Sequence, residues 1–588
     1  MEPRHLTWAL PLALATLMAV VPAAARPSSH DAEDSNALIM TAEIALQRDD
    51  CGRASADYTA AAQRGSDARL AERAAAVALD CGQYPAAERA AARWHQLTPG
   101  DPAPLRAAMR ADLGEYKIDE ARSAFESWIN SGGSTVRGTR RSDGARAGED
   151  GSNAAAAADD KLAQQLGEVA QEAGVPATLA MLRGAQVPRL QNGTPQLALA
   201  GLAFDGWNYR EAVQYAQRAL SAGAERAPAQ WLLARAHAGL GEADQAVAAA
   251  GAARVAAPKD QSFAAADVLI LLGREREARQ ALESLRDVAG LRSQADRRLG
   301  LLAFDRGDYD EAQNLFSSLM KDPDSSAIAV YYLAVIAERR GESATALRGY
   351  QMLLGTGLEG AARARAASLL YKGGQHDDAL KLLQAKDNAQ PAARLEAEIA
   401  QAQLLSNNGE SEQALARIND CLARFPGHPD VLYQKAIVLE KGGHTAAAIA
   451  QLEALNRERP QDGAISNALG FILADHNRDL TRAEKLINTA LKGEPDNPAI
   501  LDSLGWLQYR RGMPQAALPL LERAFRLDQD GDIGAHWGEV LWSVGEKAKA
   551  RETWNRALMS DPDNALVKEA QQRAGVPTLP IQGTGTSI

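Results

Sequence analysis

A pattern written three times between Ala464 and Pro562, with a period of about 34 residues, constrains this 588-residue chain more than any other feature. Its middle copy carries Leu504-Gly505-Trp506, then Gly512, Ala516-Ala517, Leu521, Ala524 and Phe525. The copy before it runs from Leu469-Gly470 to Ala483, Ala490 and Pro495, and the copy after it from Trp537-Gly538 to Gly545, Ala550, Trp554, Ala557 and Pro562. A glycine in the first segment and alanines in the second place the smallest side chains where two helices cross, so each copy reads as a helical hairpin. Apolar residues make up 46% of the chain but aromatics only 5%, which implies a core of alanine and leucine and no strands.

Stepping back toward the N-terminus, the small residue recurs at Ala436, Ala402, Ala367, Ala334, Gly300, Ala266, Ala234 and Ala200. More faintly, it continues through Gly167, Ala108, Ala75 and Ala42, for about fifteen units. In Arg306-Gly307-Asp308-Tyr309-Asp310-Glu311-Ala312, a glycine closes one helix and acidic residues open the next. Small residues, mid-repeat aromatics and a closing proline at these offsets resemble the tetratricopeptide repeat. The resemblance implies an all-α fold, a right-handed superhelical solenoid of tetratricopeptide-type helical hairpins without a cofactor.

Residues 1–25 read as a signal peptide: Arg4, an apolar run from Leu6 to Val21, Pro22, and a cleavage site at Ala23-Ala24-Ala25. That run is shorter than the roughly 20 apolar residues a membrane span needs, and no cysteine follows it to take a lipid. An exported, periplasmic protein without a transmembrane segment after cleavage is expected. Hairpins are expected over 26–130 and 161–574, and a loose tail over 575–588. Between them, 131–160 is rich in Gly, Ser, Arg and Asp, and reads as a disordered linker whose Arg137, Arg140, Arg141 and Arg146 offer an alternative role against an acidic partner. A net charge of -11 argues against nucleic acid as a partner.

Five segments carry a closer likeness: Met40–Arg48, Leu70–Ala75, Asn467–Phe471, Asp502–Trp506 and His536–Trp542. They resemble the exported repeat proteins of Gram-negative bacteria typified by the lipoprotein adaptor of a carboxyl-terminal processing protease. The likeness implies a scaffold that brings the protease to cell-wall hydrolase substrates, although the lipid-bearing cysteine of those adaptors is missing here. A structural subunit of an exopolysaccharide or outer-membrane export machine is the alternative. No H-E-x-x-H, G-x-S-x-G, Walker A or Rossmann pattern occurs, so catalysis is not expected. His476 and His536 lack ligand-type neighbours at metal spacing and read as surface or helix-end residues rather than metal ligands.

In a stacked array the first helix of each unit lines the concave groove. Counting from the small position selects Arg297, Phe304, Tyr331, Glu338, Tyr433, Asn467, Phe471, Asp502, Trp506, Tyr509, Arg510, Glu539 and Trp542 as the partner-binding face. For Trp506 and Trp542, periodicity leaves two places open, the groove or the seam between units. Cys51 and Cys81 stand in matching Asp-Cys-Gly strings, one opening the second helix of unit one and the other closing the first helix of unit two. Those helices pack antiparallel, which brings a disulfide within reach in an oxidising compartment, with two free thiols as the alternative. Cys421 is then left as a small buried side chain.

Overall fold

The computed structural model describes residues 29–133, 149–257, 262–386, 389–561 and 563–576. The expected signal peptide, the four linker arginines, Pro562 and all but the first two residues of the expected tail lie outside them. Among the described residues every regular element is helical. Within those residues thirty α-helices pair into fifteen hairpins, from Ser29–Gln47 with Cys51–Arg64 to Gly531–Ser543 with Lys547–Ser560, and Ala565–Arg573 closes the array. The protein is a superhelical solenoid.

The hairpin follows from three local devices. Acidic or Asn side chains cap the helix starts: Asp308 accepts from the Glu311 amide at 3.1 Å, Asp462 from Ala464 at 3.0 Å, and Asn497 from Ala499 at 2.9 Å. Between the paired helices the chain turns through a left-handed residue, usually glycine, as at Gly307 (φ 80°), Gly341 (φ 75°) and Gly512 (φ 77°). Asp49, Tyr116, Trp207 and Asn477 occupy that place in other units at φ 52–58°. The helices then cross at the small residue. A Cβ on Gly505 would meet Leu521 at 2.6 Å, one on Gly470 would meet Ile487 at 2.7 Å, and one on Gly538 would run into the Trp554 indole.

Gly167 does not mark a crossing, since a Cβ there meets nothing within 4 Å. Its unit keeps the step by length alone. The expected linker is also shorter than its composition implied, because a helix runs over Glu149–Ala173. Ala154 to Ala158 favour helix, and Leu162, Leu166 and Val169 form one fully buried face, which supplies the packing that glycine and serine withhold.

Cys51 begins the second helix of the first hairpin and Cys81 caps the first helix of the second, and the two are joined in a disulfide with Cα atoms 5.5 Å apart. Cys421 is a buried free thiol, pushed up to about 11 by burial.

The array departs from a chain of neighbours that touch only the next unit. Successive turns of the superhelix lie against each other. Gln83 donates to the Pro426 carbonyl at 2.9 Å, Arg459 covers the Tyr116 ring at 5.1 Å, and the Tyr209 amide donates to Asp496 at 2.8 Å. Further along, Arg339 donates to the Met559 carbonyl, and Lys372 pairs with Asp563 at 2.7 Å. Close approach requires bare backbone. Gly52 and Gly82, the residues after the two bridged cysteines, face Pro426 and His428, and a Cβ on either would collide with those side chains.

Candidate functional site

A concavity of about 1110 Å3 is built from the first helices of the last six hairpins and closed by the Ala565–Arg573 helix. Its floor is apolar, with Ile437, Ala468, Phe471, Ile472, Trp506 and Ala535. Its walls are acidic: seven carboxylates, Glu440, Asp475, Asp532, Glu539, Asp561, Asp563 and Glu569, stand against three cations, Lys372, Lys441 and Arg573. Two of those cations are already engaged, Lys372 with Asp563 at 2.7 Å and Arg573 with Glu539 at 2.6 Å. The groove therefore presents a net negative surface over an apolar base.

Helix geometry decides which expected residues reach it. At about 100° of rotation per residue, positions one and five after the small residue and two before it share a face. Those positions place Ile437 and Lys441 around Ala436, Ala468, Phe471 and Asp475 around Gly470, Trp506 after Gly505, and His536 and Glu539 around Gly538. Of the residues selected from sequence, Phe471, Trp506 and Glu539 line the groove.

Positions three before and four after the small residue are turned away by about a quarter of a rotation. They lie on the seam between helices. Asn467 and Asp502, three before, and Tyr509 and Trp542, four after, sit here. Trp542 packs on Trp554 at 5.7 Å and Tyr509 on Trp506 at 5.2 Å, and neither lines the groove. The same holds upstream. Glu338 pairs with Arg365 at 3.2 Å, Tyr331 packs beside Tyr350 at 6.1 Å, Phe304 meets Tyr332 edge-on at 5.0 Å, and Arg297 stands three before Gly300. Tyr433 lines a smaller recess with Gln403, Asn407 and Lys441. Arg510, although five after Gly505, does not line the groove and donates to Asp475 at 3.3 Å.

Trp506 belongs to both places. One edge lines the groove, but the ring is 5% exposed, stacks on His536 at 4.3 Å and donates Nε1–H to Asp475 at 2.9 Å. His536 is not a surface residue. It is buried, with Nδ1 2.9 Å from Asp502 Oδ2 across the seam joining two hairpins. Sequence reading passed over this pair because the partners are 34 residues apart, one repeat period, and neither is unusual alone. Burial works against a charged imidazole, but Asp502, aided by Asp532 and Asp475, holds His536 above its ordinary value. A histidine raised on folding adds stability that is fully present below its unfolded value and is lost as pH climbs through the folded one. The excess thermal stability of the wild type over His536→Gln is therefore expected to shrink as pH is raised from about 6.5 into the alkaline range. A difference in melting temperature that stays constant across that range disproves the assignment.

The surroundings of this pair are structural. Asp502 and Trp506 enclose the imidazole on the seam, so it ties one hairpin to the next. Around it the groove presents an apolar floor and an acidic rim.

The tetratricopeptide repeat family matches residues 297–357 and 470–532, and a second tetratricopeptide repeat family matches 405–470. The chain is similar to the TPR repeat-containing protein PA4667 of Pseudomonas aeruginosa, 33% identical over 212 residues, which is 36% of each chain. It is 22% identical over 209 residues to the Protein O-mannosyl-transferase TMTC1 of Homo sapiens, covering 35% of this chain and 24% of that protein. Both matches span well under half of those relatives. Among solved structures, the APC/C hetero-tetramer Cut9-Hcn1 aligns over 93% of this chain and 98% of its own at 15% identity, with a TM-score of 0.29. A thermophilic TPR protein of Thermus thermophilus, TTC0263, aligns over 31% and 98% at 18% identity, with a TM-score of 0.28. Within this array of helical hairpins, residues 297–357 and 405–532 carry the tetratricopeptide repeat pattern.

Proposed function

We propose that this protein is a non-enzymatic scaffold of the bacterial periplasm that holds a cationic, apolar-anchored segment of a protein partner in the groove formed by its last hairpins. The observation that carries the reading is the groove itself, an apolar floor under seven carboxylates and three cations. Such a surface attracts Lys- or Arg-bearing segments and buries their apolar side chains at the centre, where binding energy concentrates. The segments Asn467–Phe471, Asp502–Trp506 and His536–Trp542, which resemble those of the protease adaptors, build the same groove and the seam behind it. On that ground the partner is a carboxyl-terminal processing protease, brought by this scaffold to cell-wall hydrolase substrates.

Asp561 and Glu569 are exposed on the rim, so replacing both by lysine reverses charge without disturbing the core. Wild-type protein recovered from periplasm is expected to bring down a processing protease, identified by mass spectrometry, and the double variant at least tenfold less. Recovery of polysaccharide synthase or porin components without a protease favours the export-machine role instead.

A further inference from the structure

A second cleft, of about 400 Å3, lies where two turns of the superhelix face each other, outside the acidic groove. One side comes from the hairpins around Phe304, Tyr331 and Arg339, and the other from Arg526 to Gln529 and Arg556. Its charge is the reverse of the groove's. Four guanidinium groups, Arg339, Arg365, Arg526 and Arg556, line it against two carboxylates, Asp305 and Asp528.

The four arginines are not equivalent. Arg365 is committed to Glu338 at 3.2 Å and to the Tyr331 hydroxyl at 3.2 Å. Arg339 donates to the Met559 carbonyl and lies over the Phe304 ring at 5.7 Å. Arg526 and Arg556 have no carboxylate within 4 Å among the described residues. Arg526 reaches only the Gly239 carbonyl, at 3.4 Å, and Arg556 covers the Phe525 ring at 5.3 Å. Two exposed guanidinium groups thus face this cleft without an ion pair of their own, while Asp305 and Asp528 share its lining. Burial and neighbouring Arg523 hold Arg526 below its ordinary value, and burial does the same for Arg339. An incoming anion relieves that penalty.

From the two unanswered guanidinium groups, we infer that this cleft binds an acidic peptide segment, its side-chain carboxylates received by Arg526 and Arg556. Arginine suits carboxylates because its planar fork donates two parallel hydrogen bonds. The apolar lining, Val335 and Leu527 with the edges of Tyr331 and Tyr332, gives the rest of a peptide somewhere to pack. A uronic-acid chain fits less well, since sugars stack on open ring faces. Here the Tyr332 face is covered by Phe316 at 5.0 Å, and Phe304 meets Tyr332 edge-on and lies under Arg339. The site is independent of the groove and opposite in sign, so one molecule would hold a cationic and an acidic segment at once.

The test is fluorescence anisotropy of the full chain with a fluorescein-labelled peptide of alternating glutamate and alanine around a central tyrosine. Binding is expected at low salt, weakening as salt rises, and at least tenfold weaker for the glutamine-matched peptide and for Arg526→Gln/Arg556→Gln. The groove variant Glu569→Lys should still bind, which separates failure of this site from failure of the groove. Arg556→Gln alone changes an exposed residue and is expected to weaken binding at least threefold with an unaltered melting curve, should the double variant unfold. The inference is overturned if the peptide does not bind, if the arginine variants bind it as wild type does, if the glutamine peptide binds equally, or if an oligouronate or inorganic phosphate displaces it at concentrations where the unlabelled peptide does not.

Discussion

Trp506→Ala is expected to destabilise the protein by about 3–5 kcal/mol, the cost of emptying a buried indole site. The ring is almost wholly buried, stacks on His536 and donates its only N–H to Asp475, so the substitution opens a cavity and strips a carboxylate of one partner. Asp475 keeps only the Arg510 contact, at 3.3 Å. Thermal unfolding followed by far-ultraviolet circular dichroism should show the transition of the C-terminal hairpins moving down, before any partner is added. Were Trp506 a free anchor in the groove, the variant would lose partner binding and keep its melting temperature. That outcome removes the ring from the seam and undoes the account of the His536 pair with it.

Cutting the Cys51–Cys81 bridge comes next in size. It closes a loop with a sequence separation of 30, for which chain entropy gives a stabilisation of about 3–4 kcal/mol. Cys51→Ser/Cys81→Ser should therefore loosen the first two hairpins selectively. Hydrogen exchange over residues 29–97 reports it directly, with amides there exchanging faster while those of residues 463–576 are unchanged. Because Gly52 and Gly82 rest on the Pro426–His428 turn, protection at residues 425–431 should fall too. Thiol counting on unfolded, unreduced protein gives one reactive thiol per chain, that of Cys421. Three thiols there, or uniform exchange in the variant, would falsify the bridge as a stabilising element.

The hairpins were legible because many of them rest on local signals: an Asp or Asn before the first helical turn, a glycine at the left-handed turn, a small residue at the crossing. Where a signal was present but unused, as at Gly167, the sequence misled. The glycine fell at the right step without any neighbour for a Cβ to meet. The helix from Glu149 was hidden because Gly and Ser dominate the stretch just before it, while its packing face appears only at Leu162. For the groove, Phe471, Trp506 and Glu539, directly after the small residue, line the concavity. Positions three before and four after the small residue followed the inter-hairpin face instead, and of those two before and five after, Ala468, Asp475 and Lys441 line the groove while Arg510 does not. The arginine cleft was beyond sequence reading altogether, since it joins residues more than 150 positions apart through the pitch of the superhelix.

That pitch limits how such a chain can change length over generations. Repeat arrays grow and shrink by duplicating or losing whole units, and an array whose units touch only their neighbours accepts such events anywhere. Here Gln83 must meet Pro426, Tyr209 must meet Asp496, and Lys372 must meet Asp563. Gaining or losing one hairpin between Ser262 and Lys372 would slide the first two of these pairings out of step together. A hairpin added beyond Ala565–Arg573 would disturb none of the three. Lineages carrying this architecture should therefore vary in unit number at the ends and hold the middle count fixed.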